Sequence, residues 1–323
     1  MVNKKPYISV IVATTRIGGL DILCSGLEQQ TFKDFELVFA DNLYEYRKDI
    51  VKQYSYKYSF PIKHIKPNGN DFTAATWCRD QNTALINASG HIAFFVGDYT
   101  WLESNCLQVH ADFHKNEKPN VHCGLICSFT LCKLPKLHKD FYRPYADIIP
   151  YDTESNRKKF VVREKECFID YVNDLNNAKL NSLMWSIFDE QLYNPKSLEI
   201  TETRISLPEG ITDNSQCFLR NESFVLDDIF AINGFNEELD GTHGWQDWEF
   251  IDRSVALLGT RLYSKSNITA INVNPRNIMY CRNRSRGVLD NEMIWKRNKA
   301  INFSNKINAY SLIEQRNKIG LET

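Results

Sequence analysis

Five consecutive apolar residues, Ile92 to Val96, end abruptly at Gly97-Asp98-Tyr99. A short continuous apolar run bounded by turn chemistry reads as a strand buried on both faces, the kind found in mostly parallel sheets covered by helices. Ligands of such sheets lie beyond the carboxyl ends of the strands, so Asp98 stands where a substrate would be held. Taken alone, Gly97-Asp98 reads equally well as a plain turn after a core strand. The segments on either side decide between the two.

Upstream, Ile8 to Thr14 is a β-branched apolar run broken by Gly18-Gly19. Leu20, Leu23, Cys24 and Leu27 then recur at helical spacing to about Gln30, and Phe35 to Ala40 forms a second apolar run closing on Asp41-Asn42. Strand, helix, strand with an acid at the second strand's end outlines a βαβ nucleotide-binding unit. Tyr44 to Tyr58 reads as a helix, Pro61 to Ile65 as a short strand, and Phe72 to Ala88 as a helix closed by Ser89-Gly90 in the manner of a glycine cap. Downstream, Trp101 to Asn116 reads as helical and Val121 to Leu131 as another buried strand.

From 133 to about 207 the pattern changes to prolines, tyrosines and charges with weak periodicity. This reads as an insertion with short helices on the acceptor side, where Tyr142, Tyr145, Tyr151 and Trp185 suit either packing or stacking on a ligand ring. Regularity resumes at Ser215 and leads to Gly241 to Phe250, where two tryptophans, two acids and two glycines fall within ten residues. A helix to Leu258 and two short strands, Thr260 to Ser264 and Thr269 to Val273, follow. Residues 274–323 form a basic, partly helical extension, with eight Lys/Arg against two acids between Pro275 and Lys306.

The 323 residues are 43% hydrophobic with a net charge of −1, enough for a large core and against a generally basic, nucleic-acid-coating surface. The N-terminus shows no secretory leader and no apolar run approaches the roughly 20 residues of a membrane span, which leads us to expect a soluble cytoplasmic protein. Nine cysteines in apolar contexts suit reduced, buried thiols. His122, Cys123, Cys127 and Cys132 lack a CxxC pair and lie in a strand-like run, which argues against zinc.

These residues together resemble the family-2 glycosyltransferases of the GT-A fold over most of Tyr7 to about Val273 outside the insertion. SVIVATTR (residues 9–16) is similar to that family's opening strand, and Glu28 to Val38 (EQQTFKDFELV) to its "QTy-x-x-fEiiv" segment ending in Asp41-Asn42. Asn82 and Ala88-x-Gly90-x-Ile92 resemble its "RN-x-g-l-x-x-A-x-G-x-x-I" helix. Gly97-Asp98-Tyr99 falls on the DxD site, Asn233-Gly234-Phe235-Asn236-Glu237 on "GGFDE", and Gln246-Asp247 on the "ED" motif. The resemblance implies an α/β GT-A (nucleotide-diphospho-sugar transferase) fold: a mixed, mostly parallel central sheet flanked by helices, with a catalytic domain over residues 1–273.

It also implies transfer of a sugar from a nucleotide-sugar, most commonly UDP-linked, to an acceptor hydroxyl on a glycan, glycoconjugate or similar compound, with inversion. Ala13, Thr14, Asp41, Arg79, Asn82, Asp98 and Tyr99 would face the nucleotide-sugar, Asp247 would be the general base, and Trp245 and Trp248 would offer faces to the acceptor. Each has a structural alternative: Asp41 as a turn residue, Asp247 as a helix cap, the tryptophans as core, Arg79 as a solvated helix residue. Glu249 reads as a supporting or solvated acid.

Three departures from the family bear on metal. Asp98 lacks flanking acids, so that a Mn2+ or Mg2+ cofactor bound through it is in doubt; Val273-Asn274-Pro275-Arg276 stands where a histidine ligand often follows; and Gln81 replaces the usual arginine beside Asn82. Arg276, Arg282, Arg284 and Arg286 would compensate by neutralising diphosphate charge, or they form a solvated basic face. The lone Asp98 leaves room for a catalytically silent module that binds glycan or nucleotide. The basic extension leaves room for a nucleic-acid acceptor.

Overall fold

The structure, a computed structural model, describes residues 5–14, 20–42, 44–67, 76–98, 100–119, 122–133, 210–212, 219–240, 244–274, 284–300, 303 and 307–321. The insertion, Tyr99, Arg276 and Arg282 lie outside the described residues, and Arg284 and Arg286 are described only as helical backbone.

The first unit is β1 (Ile8–Thr14), α1 (Leu20–Glu28), β2 (Phe35–Asp41), α2 (Tyr44–Lys57) and β3 (Ile62–Ile65). α3 (Trp77–Asn87), β4 (Ile92–Val96), β5 (Thr100–Leu102), α4 (Cys106–Asp112) with a π-helical turn (Phe113–Glu117), and β6 (Cys123–Lys133) come next. Beyond the insertion lie β7 (Gly210–Thr212), β8 (Asn221–Val225), α5 (Leu226–Ala231), a 3-10 turn (Glu237–Leu239), α6 (Gln246–Leu258), β9 (Arg261–Asn274), α7 (Arg284–Ala300) and α8 (Leu312–Lys318).

Nine strands form one sheet in the order β3-β2-β1-β4-β8-β6-β9-β5, with β7 also on β9. β1 pairs parallel with β2 and β4, and β2 with β3; β8 runs antiparallel between β4 and β6, and β6 is parallel to β9. All five residues of β4 are buried, as its unbroken apolar run requires of a strand covered on both faces. Alternation sorts the side chains. Val10, Val12, Phe39 and Phe94 face α1, α2 and α4, whereas Ile11, Val38, Ala93 and Phe95 face α3, α5 and α6.

Three local expectations are corrected. Gly90 is no left-handed helix cap: α3 ends on Ala88 in extended conformation, and Gly90 carries no positive φ. Its missing side chain serves a close approach, since a Cβ there would lie 2.5 Å from the Ser9 backbone nitrogen. The helix expected from Trp101 begins only at Cys106, because Thr100–Leu102 pairs antiparallel with Asn272–Ala270 as β5. The two last strands are one, β9, interrupted by a register shift opposite Cys127/Ser128.

Candidate active site

The carboxyl ends of β1, β2 and β4 converge, and their last residues touch. Register places Thr14 beside Asp41, and the Asn42 backbone N–H donates to the Thr14 carbonyl at 3.1 Å. Thr14 Oγ1 donates to Asp98 Oδ2 at 2.5 Å, so one hydroxyl links the end of β1 to the acid that follows β4. Ala13 pairs with Ala40 one step back in the same register. Asp98 and Asp41 are buried, 1% and 0% exposed, which is no property of ordinary turn acids.

Asp41 has a partner that sequence reasoning missed. His64, at the end of β3, places Nε2 2.9 Å from Asp41 Oδ2, and its ring packs on Phe39 at 5.4 Å and Tyr44 at 4.5 Å. A single histidine in a strand reading IKHI carries no signal of its own; only the parallel pairing of β2 and β3 brings it to Asp41.

Next to this cluster, Asn42 Nδ2 donates to Thr76 Oγ1 at 3.1 Å and to Asp80, and Thr76 also bonds Asp80. Burial pushes the Asp80 carboxyl well above the usual carboxylate range. Arg79 precedes it at a half-buried position, and its Nε and Nη2 are buried without a hydrogen-bond acceptor among the described residues.

Asn82 is fully buried, accepts from the Phe235 N–H at 2.8 Å, and donates to the Phe235 carbonyl and to Glu237 Oε1. Both ends of its amide thus clasp the Asn233-Gly234-Phe235 turn, where Asn233 (φ 62°) and Gly234 (φ 70°) are left-handed.

The second half of the site is the start of α6. Asp247 occupies its first turn at a partly exposed position, with Oδ1 accepting from the Trp248 N–H at 3.1 Å. Loss of water raises its affinity for a proton, opposed by the Trp248 and Asp247 N–H groups and the Arg220 charge. Trp245, just before, is left-handed at φ 69°, packs edge-on against Trp248 at 4.9 Å, and stacks on Trp295 of α7 at 4.8 Å.

Glu249 is not solvated. It and Arg253 form a fully buried ion pair at 3.0 Å, and Arg253 also donates to the Ile232 and Gly234 carbonyls, fastening α6 to the turn that Asn82 holds from the other side. Asp240 accepts from the Cys78 and Arg79 N–H groups at 2.8 and 3.0 Å at the start of α3. Burial raises its carboxyl to about 6 against those two bonds.

A resident divalent cation finds little to hold it here. Among the described residues no group of three His, Cys, Asp or Glu side chains could bind a metal, and Asp98 already receives the Thr14 hydroxyl. Such ions often keep several waters and use one or two carboxylates beside substrate phosphates, so Asp98 would share one with water and a diphosphate.

The strand order, the helices on both faces and the cluster at the carboxyl ends define a glycosyltransferase-like GT-A fold. No protein-family model matches the chain, and no curated protein matches it in sequence. Among solved structures, GalNAc-T7 with UDP, GalNAc and Mn2+ is similar at a TM-score of 0.52 and 9% identity, over 99% of this chain and 55% of that one. The mannosyltransferase PcManGT from Pyrobaculum calidifontis, in complex with GDP-Man and Mn2+, gives 0.48 at 13% identity, over 99% of this chain and 70% of its own. TarS of S. aureus gives 0.48 at 14% identity over 83% of this chain, which spans 37% of the TarS chain. At these identities the likeness concerns the fold. Among the described residues no helix is long and apolar enough to cross a membrane.

Proposed function

We propose that this chain is an inverting glycosyltransferase that moves a sugar from a nucleotide-sugar, UDP-linked by preference, to an acceptor hydroxyl, with Asp247 as general base. The observation that carries the reading is the placing of two kinds of acid on one GT-A scaffold. Asp41 and Asp98 are buried at the carboxyl ends of β2 and β4, where a nucleoside and its sugar would lie, and Asp247, partly exposed in the first turn of α6, keeps one oxygen on the Trp248 N–H.

In this mechanism Asp41, steadied by His64, takes the base or ribose, and Thr14 and Asp98 orient the sugar. Arg79, with two buried N–H groups lacking an acceptor among the described residues, suits a phosphate oxygen. The acceptor oxygen bonds to the anomeric carbon as the bond to the diphosphate breaks. Its proton passes to Asp247, and the nucleoside diphosphate leaves with the bonding electron pair. Trp248, half-buried beside Asp247, offers the acceptor a ring edge or face. The sparse donor set around Asp98 supports a reaction in which protein cations, Arg276 and Arg282 among them, carry much of the diphosphate charge.

The same lone Asp98 favours a second reading, a silent module that binds nucleotide or glycan without turnover. One experiment separates them: transfer and hydrolysis of UDP-N-acetylglucosamine, UDP-N-acetylgalactosamine and GDP-mannose by wild type and Asp247→Asn, each with Mn2+ and with EDTA. Turnover that falls on the order of a hundredfold to ten-thousandfold in Asp247→Asn supports the base. An Asp247→Asn variant as active as wild type refutes it, and nucleotide binding without turnover favours the silent module.

A further inference from the structure

We propose that α7, in the basic C-terminal extension, is a clamp that sets the position of Asp247, with Asn291 and Trp295 as positioning residues. The proposal rests on the reading of Asp247 as the base. The start of α6 lacks the usual means of fixing a helix N-terminus. Its cap residue is Trp245, which makes no side-chain capping bond and holds a left-handed backbone that a bulky aromatic residue rarely adopts. Something outside α6 must hold it.

The contacts that do so come from α7. Trp295 stacks on the Trp245 indole with the rings 27° apart, and Trp295 is itself fixed by donating Nε1 to Asp252 Oδ2 at 2.9 Å. One turn earlier, Asn291 is 2% exposed and donates Nδ2 to the Gly244 carbonyl at 2.8 Å and to the Leu239 carbonyl at 3.3 Å. Gln246 completes the bracket by accepting from the Gly244 N–H at 2.7 Å. One buried amide from α7 therefore ties Leu239, the last residue of the 3-10 turn, to Gly244, two residues before α6.

These anchors stand between the two halves of the site. Asp240, next to Leu239, accepts the Cys78 and Arg79 N–H groups, and Asp247 lies three residues after Gly244. Holding Leu239 and Gly244 on one amide of α7 fixes the reach from the first turn of α3 to the base. Misplacing a reacting group by an ångström costs about a hundredfold in rate while leaving ground-state contacts to the donor intact. One face of Trp245 is taken by Trp295, which makes Trp245 a part of the clamp and leaves Trp248 as the aromatic available to an acceptor.

The test uses the full chain in Trp295→Ala, Trp295→Phe and Asn291→Ala variants, with Asp247→Asn as reference. The probes are the three nucleotide-sugars above, and rates are taken per folded molecule after urea titration of each variant. The clamp predicts that Trp295→Ala and Asn291→Ala lose about tenfold or more in kcat with donor KM unchanged, and that Trp295→Phe, which keeps the stack but not the Asp252 bond, recovers a measurable part of it. Wild-type kcat in both alanine variants, with Asp247→Asn inactive, overturns the clamp alone. So does a loss in Trp295→Ala that Trp295→Phe shares in full, or a rise in KM with kcat preserved. A wild type inactive on all three donors, or an active Asp247→Asn, overturns the base reading and the clamp with it.

Discussion

Replacing Arg253 by methionine tests how α6 is anchored. The guanidinium is 0% exposed and has three duties: it pairs with Glu249 through Nε and Nη2, and it donates to the Ile232 and Gly234 carbonyls. Methionine fills a similar volume and supplies none of these bonds. Removing one member of a buried ion pair strands the other charge, at a cost of about 3–5 kcal/mol, and the two carbonyls lose charged donors besides. These terms overlap, so we expect about 4–5 kcal/mol from a domain whose whole stability is on the order of 5–15 kcal/mol. Urea unfolding followed by tryptophan fluorescence reads this as a lower midpoint at unchanged slope. The double variant Arg253→Met/Glu249→Leu removes the stranded carboxylate and should recover about half of the loss, leaving the two carbonyls. A single variant that loses under about 1 kcal/mol, or a double variant no more stable than the single, would refute the assignment of the cost to an unpaired buried charge.

Two further predictions concern the scaffold. His110 and His114 are buried against Ser223 and Asn221, and burial holds both imidazoles down at about 3. Unfolded histidine binds its proton near 6.5, so between these values the unfolded chain holds more protons. Their contribution is complete above about pH 6.5 and declines as pH falls toward 3, by up to roughly 1.4 kcal/mol per unit for each group. The raised Asp80 and Asp240 carboxyls take up protons in the folded state and oppose this trend in wild type and variant alike. The histidine share is read as a difference in urea unfolding: from pH 7 to 5, His110→Gln should lose less stability than wild type, by up to roughly 1.4 kcal/mol per unit, and equal pH dependences would contradict the origin given. At Gly90, a methyl group would strike the Ser9 nitrogen and the Ile8 carbonyl carbon, backbone atoms of the central strand, so Gly90→Ala should cost about 2–3 kcal/mol. Gly90→Asn should be no better by thermal unfolding; a left-handed cap would instead accept Asn readily.

What could be read from the sequence follows from how local each signal is. β1, β2 and β4 are nearly continuous apolar runs whose residue pattern marks them as doubly buried, and strand direction then puts Asp41 and Asp98 together at one edge of the sheet. β5 was read as helix because three residues are too few to show a period of two; its state is decided by pairing with Asn272–Ala270, far along the chain. Gly90 resembled a helix stop because Ala88-Ser89-Gly90 has the composition of one. The approach of β1 that excludes a Cβ is a tertiary fact. The partner of Asn82 is equally hidden, since the Phe235 N–H that its oxygen accepts lies 153 positions away.

The unequal legibility of the two halves of the site reflects how each is built. Thr14 and Asp41 end paired strands and Asp98 follows the strand on the other side of β1, so strand order and direction bring the three together, with the Thr14 hydroxyl on Asp98. Asp247 has no such frame. Its place depends on Arg253 reaching Ile232 and Gly234, on Asp240 reaching the start of α3, and on Asn291 and Trp295 reaching back from α7. Each of these contacts joins segments that the sequence keeps apart, and their side chains show no periodicity that pattern reading could use. On the proposed reading, a substitution in α7 moves Asp247 without disturbing Thr14, Asp41 and Asp98, whereas a change in β1, β2 or β4 disturbs the core and those three residues at once. Variation in the C-terminal extension would then tune the rate while donor binding stays fixed.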